Sequence, residues 1–191
     1  GNLVCMRGTF KVIDPEQVRG LRLHVGFIGG AVVYVNGVEL QRACLPEGKL
    51  APDTLATRYA DDAYVTPDNK IRPYVIDSRG GVLNYKTPEF TNEALKGRRR
   101  EFTGKDGAPG LPIPSSMLRK GANVIAIEVR AAPVHELVYE LSDGKTTWTG
   151  DHQRPFPHAM VVSARLTAPS RAGLDGDGLG SGIQLNNVQA I

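Results

Sequence analysis

The groups that could do chemistry are few and scattered. Four histidines, His24, His135, His152 and His158, are the side chains that titrate near neutrality without help. None lies in a Gly-x-Ser-x-Gly elbow or a His-Glu-x-x-His pair. Glycoside hydrolysis needs two carboxylates facing each other across a sugar. Asp61 and Asp62 are adjacent, so in a strand they would point to opposite faces, and they read as a solvated turn. Catalysis is not expected. A hydrolase remains the alternative, and it would need a His and a carboxylate converging in one cleft. Asp175-Gly-Asp177-Gly alternates oxygen donors in the way calcium sites do, without the third carboxylate and terminal Glu of an EF-hand loop. Asp175 and Asp177 are therefore the candidate ligands of a structural Ca²⁺, and a flexible Gly-rich turn explains the same residues without metal. No other cofactor is expected.

A sugar site combines an aromatic platform with a few fixed hydrogen-bonding groups, because a sugar has an apolar C–H face and a polar rim. Trp148, Tyr64 and Tyr74 are the candidate platforms, with Arg72 and Asn84 as candidate rim partners. Tyr59 and Tyr85 are further candidate platforms and Arg79 a further rim partner. Trp148 is the chain's one tryptophan, so it is the best single anchor; a core plug between sheets would use it equally well.

The elements that must position these groups read as short strands. The 22 glycines and 13 prolines among 191 residues make the chain turn-rich against average usage, which favours strands over a helix bundle. The length suits one domain spanning 1–191, able to bury a core without a metal or disulfide staple. No apolar run approaches the ~18 residues of a membrane span. With 23 Lys+Arg against 20 Asp+Glu, no basic face is implied and nucleic acid is not an expected partner. The densest basic run, Lys96-Gly97-Arg98-Arg99-Arg100, reads as a solvated loop. Cys5 and Cys44 form no C-x-x-C; they are either a disulfide or two buried thiols. Gly1-Asn2 lacks a preceding Met, so Gly1 reads as an added residue and the chain as an excised piece of a longer one.

Residues 21–42 predict three consecutive antiparallel strands. Leu21, Leu23 and Val25 alternate with Arg22 and His24, Gly29-Gly30 is a turn, and Asn36-Gly37 joins two strand-like runs as a hairpin. Met6–Ile13, Asn123–Arg130 and Met160–Thr167 predict further strands, as do 71–76, 137–141 and 183–188. Ser115 to Gly121 reads as one helical turn with Ser115 as its cap. Residues 58–110 read as a loop-rich insertion where ligand contacts or mobility should gather.

Two segments carry a resemblance. Gly30-Ala-Val-Val-Tyr-Val-Asn-Gly-Val-Glu-Leu-Gln-Arg42, followed by Leu45-Pro-Glu-Gly48, is one. Leu111-Pro-Ile-Pro-Ser-Ser-Met-Leu-Arg-Lys-Gly-Ala-Asn-Val-Ile-Ala-Ile-Glu-Val129 is the other. Together they resemble the galactose-binding-like jelly-roll modules of bacterial, notably planctomycete-type, secreted multidomain proteins and glycoside hydrolases. Relatives often carry an acidic pair where this chain reads Gly26-Phe27-Ile28-Gly29. The resemblance implies an all-β, antiparallel jelly-roll β-sandwich and a non-catalytic accessory module of a larger exported protein, outside the cell or in the periplasm. Its implied partner is carbohydrate, or neighbouring domains of the parent chain. The alternative is a structural or protein-interaction module with no small ligand.

Overall fold

Alternating apolar residues build two sheets that share one core. In the computed structural model, which describes residues 3–64, 67, 97–133, 135–136 and 159–175, the chain is all-β with three short 3₁₀ turns. The first sheet has the order β1-β7-β3-β4, with β1 Leu3–Val12, β3 Gly30–Val35, β4 Val38–Ala43 and β7 Gly121–Arg130. In the second, β2 (Arg22–Ile28) is central. It pairs with β8 (Met160–Thr167) on one side, and on the other with the short β5 (Arg100–Glu101) and β6 (Leu111–Pro112). All named strand pairs are antiparallel.

Leu23, Val25 and Phe27 of β2 face Phe10 and Val12 of β1, Val33 and Val35 of β3, and Ile125, Ile127 and Val129 of β7 across a buried interior. Two antiparallel sheets closed on one apolar layer make a β-sandwich. A second, smaller cluster of Ile28, Ala56, Tyr59, Ala63, Tyr64 and Ala132 closes the end of the sandwich where β2 and β7 finish and β8 begins. Among the described residues no helix is long and apolar enough to cross a membrane.

The hairpin expected at Asn36-Gly37 forms. Both residues have positive φ, 52° and 84°, the condition for the tight turn whose twist matches its strands. Asn36 does a second job. Its Nδ2 donates to the Asn123 Oδ1 at 2.9 Å and to the Met117 carbonyl at 2.8 Å, and its Oδ1 accepts from the Val124 N–H and the Arg119 guanidinium. Asn123 has no exposed surface, and its amide makes four hydrogen bonds, to Asn36, to the Arg119 N–H and to the carbonyls of Arg119 and Gly121. Every polar valence of this buried amide is satisfied. The two segments that carry the resemblance are thus tied to each other.

Two expectations need correction. Residues 21–42 are not three consecutively paired strands: β2 and β3 belong to different sheets, and the chain crosses between them at Gly29. An alternating pattern shows which face is buried, not which strand lies alongside. Ser115 does not cap the next turn. It is the first residue of a 3₁₀ turn, Ser115–Met117, whose N-cap is Pro114 and whose cap carries no side-chain hydrogen bond; Gly121 opens β7. Between the two alternatives left open for the cysteines, the structure has thiols: Cys5 and Cys44 are both free and half-buried, at opposite edges of the first sheet. The strands expected at 71–76, 137–141 and 183–188 lie outside the described residues.

Candidate functional site

The outer face of the second sheet carries the polar groups. Inward-facing Leu23, Val25 and Phe27 leave Arg22, His24 and Gly26 of β2 on the opposite face. Antiparallel pairing then fixes their neighbours. Arg22 lies opposite Thr167, His24 opposite Arg165, and Gly26 opposite Ser163 on one side and Glu101 on the other. Of these, His24, Gly26, Glu101, Ser163 and Arg165 line a cleft of ≈ 320 Å³ together with Arg99, Phe102, Pro109 and Gly110.

Gly26 makes the floor flat. A Cβ at this position would come within 2.9 Å of the Ser163 Oγ and 3.4 Å of the Arg99 guanidinium. Any side chain here would fill the space between them. At the β2–β8 pair the register slips after Gly26, so that Phe27 faces Val161. The extra residue, Val162, packs on the end cluster while Val161 packs on the main core. The bulge separates the apolar start of β8 from its polar half, as bulges re-aim side chains elsewhere.

Around this floor the charges are largely paired. Arg99 holds Glu101 at 2.8 Å. Arg22 forms a two-pronged pair with Asp106, at 2.7 and 2.9 Å, and also donates to the carbonyls of Ala108, Pro109 and Gly110. One arginine thereby fixes the 103–110 loop at the rim, and the Arg22 hydrogen bond holds the Asp106 carboxyl down to about 2. His24 donates to or accepts from the Thr167 hydroxyl at 2.9 Å. Burial, then the charges of Arg165 and Arg22, push its pKa below the ordinary histidine value, against a weaker pull from Glu101. The imidazole is therefore neutral at pH 7. Arg165 is exposed, and among the described residues it has no ion-pair or hydrogen-bond partner. The cleft offers donors from Arg99, Arg165 and Ser163 and an acceptor in Glu101.

The residues expected to form the site are placed differently. Tyr64 is 2% exposed. Its ring stands edge-on to Tyr59 with centroids 6.2 Å apart, and its hydroxyl donates to the Pro133 carbonyl at 3.3 Å. A ring packed in this way presents no open face for a sugar, so Tyr64 belongs to the end cluster. Trp148, Tyr74, Arg72, Asn84 and Asp177 lie outside the described residues. Asp175 is half-buried at the end of a turn. Among the described residues no three His, Cys, Asp or Glu side chains gather as metal ligands.

The basic run 98–100 is not a solvated loop. Arg98 is 2% exposed and lies 5.7 Å over the Tyr64 ring. Arg100 lies 3.7 Å over the Tyr59 ring and donates to the carbonyls of Gly29 and Thr57. Only Arg99 turns to the cleft. Nor is 96–110 uniformly a loose loop: its described part, from Gly97 on, is held by these arginines, by Arg22 and by pairing to β2. Sequence reasoning missed His24, Gly26, Arg99, Glu101, Ser163 and Arg165 as a group. The one available signal was the His24 and Arg22 alternation, which marks an outward polar face without saying what stands beside it.

Comparison with family models, with curated proteins and with solved structures finds no match to this chain.

Proposed function

We propose that this chain is a non-catalytic binding module of the galactose-binding-like jelly-roll type, belonging to a larger exported protein and taking carbohydrate in the cleft on the outer face of its second sheet. The observation that carries the reading is the flat Gly26 floor, walled by Ser163, Arg165, Arg99 and Glu101. Hydroxyl-rich ligands need several donors and acceptors at fixed spacing. Here Ser163, Arg165 and Glu101 stand on paired strands, and Arg99 directly precedes one, so they are held in place before a ligand arrives. The resemblance of the 30–42 and 111–129 segments supports the same class.

The test is a broad glycan array probed with the whole chain and with Ser163→Trp. Ser163 is exposed, so the indole would occupy the cleft without entering the core. Binding to one glycan class, lost in Ser163→Trp at unchanged melting temperature, is the expected result. Repeating the array with a chelator reports whether Asp175 and Asp177 contribute through Ca²⁺. An array without any bound glycan, or one on which Ser163→Trp binds like the parent, overturns the reading.

A further inference from the structure

The charges around the cleft do not cancel. Glu101 is held by Arg99, and Asp106 is held by Arg22. Each carboxylate near the site is thus matched by its own arginine. His24 adds no negative charge, and as a neutral ring it leaves the adjacent position to Arg165, directly opposite on β8. Arg165 is the remaining cation. It is exposed, stands two residues from Ser163 on the same face of β8, and has no partner among the described residues.

We propose that the cleft selects an acidic saccharide, one bearing a carboxylate or a sulfate ester, with Arg165 binding the oxyanion and Ser163 and the Arg99–Glu101 pair binding neighbouring hydroxyls. The inference rests on the carbohydrate reading above and narrows its ligand. A guanidinium presents two parallel N–H donors that match the two oxygens of a carboxylate or sulfate. An isolated exposed ion pair is weak because water screens it; the two-pronged contact beside the Ser163 and Arg99–Glu101 hydroxyl partners holds the oxyanion against that screening. The Glu101 carboxylate would repel an anion if it stood alone, but Arg99 occupies it at 2.8 Å. Glu101 remains able to accept from a sugar hydroxyl through its second oxygen.

Native electrophoresis of the whole chain through gels containing polygalacturonate, dextran sulfate or neutral dextran tests this. The expected result is retardation by one of the two acidic gels and not by dextran. In Arg165→Gln the apparent dissociation constant rises at least tenfold, while the melting temperature stays put. Arg165→Lys, which keeps the charge and loses the fork, falls between the two. Which acidic gel retards the chain tells carboxylate from sulfate. Equal retardation of the parent and Arg165→Gln means a general polyanion effect and overturns the assignment. Retardation by dextran that Arg165→Gln leaves unchanged also overturns it, while leaving the carbohydrate reading intact. If neither acidic gel retards the chain the inference falls, and the glycan array with Ser163→Trp decides separately whether the carbohydrate reading falls with it.

Discussion

Two regions of this sandwich use the same residue type to opposite ends. At its closed end, Arg98 and Arg100 turn inward against Tyr64 and Tyr59, and backbone carbonyls take up the Arg100 donors. On the open face, Arg99 stands over a glycine floor and Arg165 faces solvent. Three consecutive arginines at the entry to β5 are thus divided: the outer two brace the fold, the middle one borders the cleft. The neighbours decide the role. An aromatic face and unpaired carbonyls turn a guanidinium into a brace, whose planar cation stacks while its fork saturates the backbone. A glycine and a serine leave it to meet a ligand. The closed end should therefore be sensitive in stability and indifferent in binding, and the open face the reverse.

The largest effect should come from Tyr59. Its ring is buried in the end cluster, its hydroxyl donates to the Arg98 carbonyl at 2.7 Å, and it accepts from the Gly29 N–H at 2.7 Å. It joins the crossing between the two sheets to the arginine segment. Tyr59→Ala should cost ~3–5 kcal/mol, the range for removing a large buried ring. Tyr59→Phe keeps the ring and strands the Gly29 N–H and the Arg98 carbonyl, which should cost ~1–3 kcal/mol. Chemical denaturation of both variants measures these. A Tyr59→Phe as stable as the parent would mean that the hydroxyl does not hold the crossing.

Arg100→Ala should follow, at ~1–2 kcal/mol. It removes a stacked cation over Tyr59, worth ~0.5–1 kcal/mol where partly exposed, and the partners of the Gly29 and Thr57 carbonyls. The same assay, with Arg99→Ala beside it, sharpens the contrast. Arg99 is exposed and among the described residues pairs only with an exposed glutamate, so its loss should change stability by no more than ~0.5 kcal/mol. Equal losses from the two neighbours would break the comparison.

How far the sequence reveals each region follows from how local its causes are. The Asn36-Gly37 hairpin is legible because the turn's positive φ values are demanded by two adjacent residues. The β7 strand is legible but its core face is not: Val124 to Ile127 are apolar at every position, which favours neither face, and the structure buries Ile125, Ile127 and Val129 while Val124 and Ala126 stay half-buried. The crossing at Gly29 is not legible either, since a glycine pair between two strand-like runs fits a hairpin and a change of sheet alike. The cleft is still less so. Gly26 meets Ser163 and Glu101 only through registers that join residues roughly 75 and 140 positions apart in the chain, and no local pattern records a register. Arg98 and Arg100 were hidden for a related reason. A basic run looks solvated until the tyrosines that receive it, 30 to 40 residues earlier, are brought alongside.

Asp106→Asn tests the rim that Arg22 fixes. The folded carboxyl titrates at about 2, below its usual 3.8. A depressed carboxyl contributes stability that is present above the unfolded value and is lost as pH falls through the folded one. The melting temperatures of the parent and of Asp106→Asn should therefore differ at pH 7 and converge between about pH 4 and about pH 2. Because Asp106 is half exposed, the difference should be small. A gap that persists unchanged at pH 2 would show that the charge is not what holds the loop.

The smallest stability effect belongs to Arg165→Ala, and it is the most informative about the open face. Arg165 is exposed and holds no partner among the described residues, so stability at pH 7 should move by no more than ~0.5 kcal/mol. Its charge still acts on His24. Burial is the larger cause of the depressed His24 pKa and stays in place, while Arg165 is the next. The variant's His24 should therefore titrate higher than in the parent and still below the ordinary histidine value. A depressed histidine favours the unfolded chain once pH drops below that ordinary value, and the penalty grows until the folded value is passed. Raising the folded value narrows this window, so Arg165→Ala should lose less stability than the parent as pH falls below about 6.5. An NMR titration of the His24 ring, with melting curves across the same range, reads both. A His24 that titrates identically in the two chains would place Arg165 away from the imidazole and take the uncompensated cation out of the cleft.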